Sequence, residues 1–195
     1  MTDSLKERFP ELVNPMDANL ATLEIAVRKE FPDFEIIEKS SSFKMRVING
    51  FLLVITFGQM KKFMETFVTT VGAKVYVPTR WKVWSEQSKI GVLRHERVHM
   101  RQAQRYTRPF FSFLYLFFPF PVFFAYYRMK FEREAYEESM RVEYHYSGAQ
   151  LLNDPEYKQS MVGHFTTNEY FWMWPFKGGV ERWYDGVVAG LQKAP

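Results

Sequence analysis

Ile90-Gly91-Val92-Leu93-Arg94-His95-Glu96-Arg97-Val98-His99-Met100-Arg101-Gln102 carries the pattern H-E-x-x-H within a stretch that has the properties of a helix. From Glu86 to Tyr106 there is no proline, and the one glycine, Gly91, lies near the start, so a helix of about five turns is predicted. On it His95 and His99 are one turn apart and differ by about 40° around the axis, so both imidazoles reach one metal ion. Glu96 is rotated by about 100° from His95, too far round to be a third ligand at the same point but well placed to hold a water on that ion. Val92, His95, His99, Ala103 and Tyr106 project to one side, and Arg94, Arg97, Arg101 and Arg105 to the other. The expectation is that the histidines face the core and the arginines face solvent.

The 195 residues suffice for one domain with a sizeable core: residues 1–15 read as an N-terminal lead-in ending at Asn14-Pro15, and residues 16–195 as the domain. With no cysteine, disulfides and cysteine-based zinc sites are excluded, which leaves His and carboxylate as transition-metal ligands. Polar and charged residues open the chain without an apolar signal core, so the expected compartment is cytoplasmic. A net charge of +4 and a pI near 9.2 make the protein mildly basic. The arginine side of the helix supplies much of that charge and reads as a solvated face, so no nucleic-acid partner is expected. No glycine-rich phosphate loop and no G-x-S-x-G occurs, so the chemistry, if any, belongs to a metal.

Upstream, Asp17 is placed to cap a helix that runs to about Glu30 and is stopped by Phe31-Pro32. Three strand-like runs follow, Phe34 to Glu38, Phe43 to Ile48 and Phe51 to Phe57, with Asn49-Gly50 as a hairpin signal between the last two. Met60 to Phe67 fits a short helix or a strand equally well. Val68 to Val77 alternates and ends at Pro78, which predicts a strand. Downstream, residues 110–127 carry no charge, include Pro119 and Pro121, and belong to a chain that is 18% aromatic. Three fates are open for them: a buried helix-loop-helix, an interfacial or re-entrant hairpin making peripheral membrane contact, and a membrane span.

Phe131-Glu132-Arg133-Glu134-Ala135-Tyr136 places E-x-x-A on a predicted helix from about Val122 to Tyr146. H-E-x-x-H followed by such a helix resembles the gluzincin type of zinc metallopeptidase, in which that Glu is the third ligand and the Ala lets the two helices approach. The resemblance covers residues from about Val68 to Tyr146. Helical projection then separates the two glutamates. Glu132 borders the inner side with Phe131, Ala135, Ser139, Val142 and Tyr146, whereas Glu134 lies with Glu138, Arg141 and His145 among charges expected to be solvated. A carboxylate directed inward is costly unless paired or metal-bound, so Glu132 is the better ligand. A membrane span over 110–127 would put His99 and Glu132 about 30 Å apart, which excludes a shared ion.

The resemblance implies an α+β, zincin-like single domain with a small antiparallel sheet packed on the H-E-x-x-H helix. In such peptidases the last strand before that helix is often an exposed edge, to which an extended substrate adds. It also implies Zn²⁺ held by His95, His99 and Glu132, with Glu96 as general base for hydrolysis of a peptide or protein substrate. Tyr136 stands where such peptidases commonly have an Asp that braces a ligand histidine, so the sequence does not identify the brace. His164, in a loop-like stretch, is the first candidate to stabilise the oxyanion, followed by Tyr170 and Tyr144. His145 projects to the charged side. Two other classes stay open: a zinc-containing binding or structural module without turnover, and a peripheral membrane protein using residues 110–127.

Overall fold

The computed structural model describes residues 19–55, 58, 62–117, 125–167 and 173–193. Their elements are α1 (Leu20–Glu30), β1 (Glu35–Glu38), α2 (Phe43–Ile55), α3 (Phe63–Thr66), β2 (Thr69–Val71), β3 (Lys74–Val77), α4 (Glu86–Tyr106), α5 (Arg108–Phe117), α6 (Tyr126–Asn153), α7 (Pro155–Thr166) and α8 (Lys177–Lys193). This is an α+β fold, mostly helical, with one small sheet. The described residues group into two compact units, 19–100 and 101–193, and α4 runs through the division.

In the first unit, Asn19 begins α1. Its side chain accepts from the Thr22 backbone N–H at 2.9 Å, and the Thr22 hydroxyl accepts from the Asn19 N–H at 3.2 Å, a capping box. Asp17, the cap expected from the sequence, lies outside the described residues. The helix ends at Phe31, as expected, and buries Leu23 and Val27. It is tied to α4 at both ends: the Leu20 N–H donates to Glu86 at 2.8 Å, and Arg97 makes an ion pair with Glu30 at 2.6 Å.

The predicted strands at 43–48 and 51–57 are instead one helix, α2, over Phe43–Ile55. Phe43, Met45 and Val47 alternate with Lys44 and Arg46 as in a strand, while Met45, Ile48 and Leu52 have helical spacing, and packing decides between the two periods. As a helix it sets Met45, Ile48 and Leu52 on one side, against Phe63 and Tyr76. Of the run from Met60 to Phe67, residues 60 and 61 lie outside those described, and the rest contains the single turn α3 at Phe63–Thr66. The expected strand from Val68 to Val77 is broken by Gly72, whose φ of 68° suits glycine and folds the run into a hairpin, β2 and β3.

The sheet is not antiparallel throughout. Its order is β1-β3-β2, with β1 parallel to β3 and β2 antiparallel to it. The last strand before α4 is therefore the middle strand, not an edge; β1 and β2 are the edges. The interposed α2 and α3 provide the long connection that a parallel pair requires.

The second unit is built on α6, which begins within the predicted range and runs on to Asn153 through a kink at Gly148, φ 70°. Met129, Tyr136 and Met140 on α6 join Met161, Val162 and Phe165 on α7 and Val180, Trp183, Tyr184 and Val188 on α8 in one core. Hydrogen bonds fix the layers: Tyr184 donates to the Leu152 carbonyl at 2.7 Å, and Trp183 to Glu137 at 2.8 Å. Asp154 caps α7 by accepting from Glu156 N and Tyr157 N, with Pro155 at its first position. The final helix is the one expected, extended by a few residues at each end. Of the aromatic stretch, residues up to 117 belong to α5, and residues 118–124 lie outside those described. Among the described residues no helix is long and apolar enough to cross a membrane.

Thr107 turns the chain from α4 into α5 with φ at 63°, in the left-handed region where a β-branched side chain is strained. Releasing about 1–2 kcal/mol of that strain outweighs the glycine entropy cost of about 0.5–1 kcal/mol. Thr107→Gly is therefore expected to raise stability by about 0.5–1 kcal/mol, read as a higher denaturant midpoint with an unchanged slope.

Candidate metal centre

Ser85 starts α4, its hydroxyl accepting from the Ser88 N–H at 3.1 Å and its carbonyl from Lys89 N at 3.1 Å. Two and a half turns on, the helix presents His95 and His99. Their Nε2 atoms are 3.2 Å apart, and the rings meet edge to face with centroids at 4.9 Å. Two nitrogens bound at about 2.0–2.1 Å in a tetrahedral site would be about 3.3 Å apart. The pair therefore has the separation that a shared ion requires.

One ligand atom from each of His95, His99 and Glu132 lies within 4.8 Å of the others. Glu132 is 3% exposed, facing inward as the projection predicts. Two imidazoles and one carboxylate within this distance are a group that could hold a metal ion. Glu96 is also buried and follows His95 directly.

Sequence reasoning missed what supports these residues. Tyr115, on α5, donates its hydroxyl hydrogen to the Glu132 carboxylate. It is a brace for the carboxylate, whereas the brace expected from the resemblance is one on a histidine. Its position in an aromatic run gives no sign of that role. Gln102, three residues beyond His99, is buried and donates to the Phe131 carbonyl at 3.0 Å and to Glu134 at 3.1 Å. The C-terminal turns of α4 are thereby fixed against the segment of α6 that bears Glu132, with Tyr106 edge-on to Phe131 at 5.3 Å.

Two expectations about charge are corrected. The arginines of α4 do not form a solvated face: Arg94 is buried, Arg97 pairs with Glu30, and burial lowers the pKa of Arg101 with Glu138 opposing the shift. Arg105 is half-exposed, 3.8 Å from Glu134. Nor is Glu134 solvated, since it is buried and accepts from Gln102, and Glu138 is buried too. On that side of α4, Arg97, Arg101 and Arg105 lie near a row of carboxylates, Glu30, Glu138 and Glu134. Glu134 is engaged there, and Glu132 is the glutamate that joins the histidines.

His164 is not in a loop. It is on α7, its ring stacked on Tyr136 at 5.3 Å and 9° between planes, and Tyr136 is one turn along α6 from Glu132. Tyr144 packs against the core of the second unit, and Tyr170 lies outside the described residues. His145 is exposed, as expected. Tyr146, placed inward by projection, is also exposed.

Lys39 is 0% exposed, with its ammonium donating to the Phe63 carbonyl at 3.0 Å and lying 3.6 Å from the centre of the Phe63 ring. Burial depresses its pKa to about 7, and the negative charge of Glu96 works against that shift. Between about pH 7 and the ordinary lysine range the unfolded chain holds a proton that the folded chain lacks, so Lys39 makes stability rise with pH. Below about pH 7 both states are protonated and the slope from this group vanishes. Lys39→Met in metal-free protein is expected to be more stable at pH 7 and to lose part of that slope, at most about 1.4 kcal/mol per pH unit. Urea denaturation at pH 6, 7, 8 and 9 checks it; parallel curves for the two proteins would contradict the assignment.

Compared with models of known protein families, with curated proteins and with solved structures, the chain matches none.

Proposed function

We propose that this protein is a zinc-dependent metallopeptidase of zincin type, a hydrolase acting on a peptide or protein substrate. The observation that carries the reading is the grouping of His95, His99 and Glu132 within 4.8 Å, with Glu96 next in sequence to the first ligand. His95 and His99 would hold the ion through Nε2, and Glu132 through one carboxylate oxygen. Zinc, when bound, acidifies a water at the open position and polarises the substrate carbonyl.

The remaining work falls to the chain's own groups. Glu96 takes a proton from the attacking water as the new C–O bond forms at the peptide carbonyl. It then gives that proton to the departing amine as the C–N bond breaks, and so ends as it began. His164, stacked one turn from Glu132, is the proposed donor to the oxyanion. Tyr115 fixes the direction of the Glu132 carboxylate.

Metal analysis of protein purified without chelator or nickel resin tests the reading. About one zinc per chain is expected in the wild type, with loss in His99→Ala and in Glu132→Ala. Glu96→Gln should keep the zinc and lose hydrolysis of a casein or peptide-library substrate by at least about a hundredfold. Zinc in both wild type and Glu96→Gln, with hydrolysis by neither, would leave a non-catalytic zinc module. No zinc in the wild type after reconstitution would overturn the metal reading.

Tyr115→Phe removes only the hydroxyl that meets Glu132. It is expected to weaken zinc affinity by about 10–100-fold, measured by competition with a chromophoric chelator, while leaving the far-ultraviolet circular dichroism unchanged. An affinity equal to wild type would remove Tyr115 from the site.

A further inference from the structure

Helix α2 is apolar on two sides, and only one of them is covered. Met45, Ile48 and Leu52 face the cluster around Phe63 and Tyr76. On the other side Phe43, Val47, Phe51 and Val54 are 72%, 54%, 59% and 74% exposed. Their spacing of four, four and three residues gathers them into one stripe about 80° wide. A contiguous apolar stripe left exposed on a helix marks a surface for interaction.

The charges at its borders indicate the kind of cover. With Phe43 as zero, Arg46 lies about 60° to one side of the stripe and Lys44 about 20° beyond its other limit. Both are exposed, and the Arg46 guanidinium lies 5.9 Å from the Phe43 ring centre. Between Glu38 and Glu65 the sequence has no acidic residue, while Lys61 and Lys62 follow the helix. Phenylalanines directed outward between two flanking cations make the pattern of a helix lying in a bilayer interface: rings among the acyl chains, and long basic side chains reaching back to phosphate.

We propose that the outward face of α2 is a docking surface for an anionic lipid membrane, bound peripherally through Phe43, Val47, Phe51 and Val54 and oriented by Lys44 and Arg46. This is a different segment from the aromatic stretch at 110–127, and it requires no metal.

Co-sedimentation of the full chain with vesicles of phosphatidylcholine alone, and of phosphatidylcholine with phosphatidylserine, is the test. The wild type should sediment with the anionic vesicles and remain in solution with the neutral ones. Phe43→Ser with Phe51→Ser should abolish binding, and Lys44→Glu with Arg46→Glu, which leaves the apolar stripe intact, should reduce it about tenfold or more. Circular dichroism and zinc content should match wild type in both variants. Absence of wild-type binding to anionic vesicles would overturn the proposal, as would binding that the phenylalanine pair does not affect. A concentration-dependent dimer, seen by light scattering and dissolved by the same pair without any vesicle binding, would overturn it in favour of a second copy of the chain.

Discussion

A carboxylate with 3% of its surface exposed must meet positive charge, hydrogen-bond donors or a metal, because an isolated ionised carboxylate in an apolar interior is prohibitively costly. Glu132 meets a hydrogen-bond donor, the phenol hydroxyl of Tyr115, and lies beside two imidazoles. The Nε2 atoms of His95 and His99 are 3.2 Å apart, a distance that one ring N–H spans as a hydrogen bond in the metal-free pair and that also matches two nitrogens on one ion. The zinc proposed for this group would bring positive charge directly to the buried carboxylate. Within the group α4 supplies the imidazoles, α6 the carboxylate and α5 the hydroxyl that donates to it.

The other carboxylates of the second unit show what a structural role looks like by contrast. Glu134 accepts from Gln102 and lies near Arg105, and Glu138 faces Arg101. Each has a cation on the far side of α4. Glu132 is turned away from that row, which makes the distinction between the two glutamates electrostatic as well as angular. Lys39, in the first unit, is the reverse case: a buried ammonium with one carbonyl partner and the charge of Glu96 in range, its pKa lowered by the burial.

How much was legible depended on whether one period dominated the residues concerned. Helix α4 was readable to its ends, because Glu86 to Tyr106 mixes charged and apolar residues at one spacing and is bounded by turn-forming residues. Glu132 was readable as inward for the same reason. The arginine face was misread, since a projection gives direction around an axis and says nothing of whether water or another helix lies there. Tyr115 was illegible because its hydroxyl is one of several in an aromatic run, and only the placement of α5 aims it at Glu132. The mixed sheet was missed with α2, since a hairpin at 49–50 removed the helix that allows β1 and β3 to run parallel.

The misreading of α2 and its exposed stripe have one origin. A segment that must cover a core on one side only can be written with polar residues on the other, and its period is then plain. In Phe43–Ile55 the apolar residues alternate with Lys44 and Arg46 at the start and are continuous from Phe51 on, so the strand pattern and the helix pattern both fit and neither is selected by sequence. The fold uses one side, against Phe63 and Tyr76, and leaves the rest as surface. Apolar residues beyond what the core needs add nothing to the folded monomer and create a liability to self-association. Their arrangement between Arg46 and Lys44 gives that surplus an outlet in an interface where apolar rings and basic side chains are both accommodated.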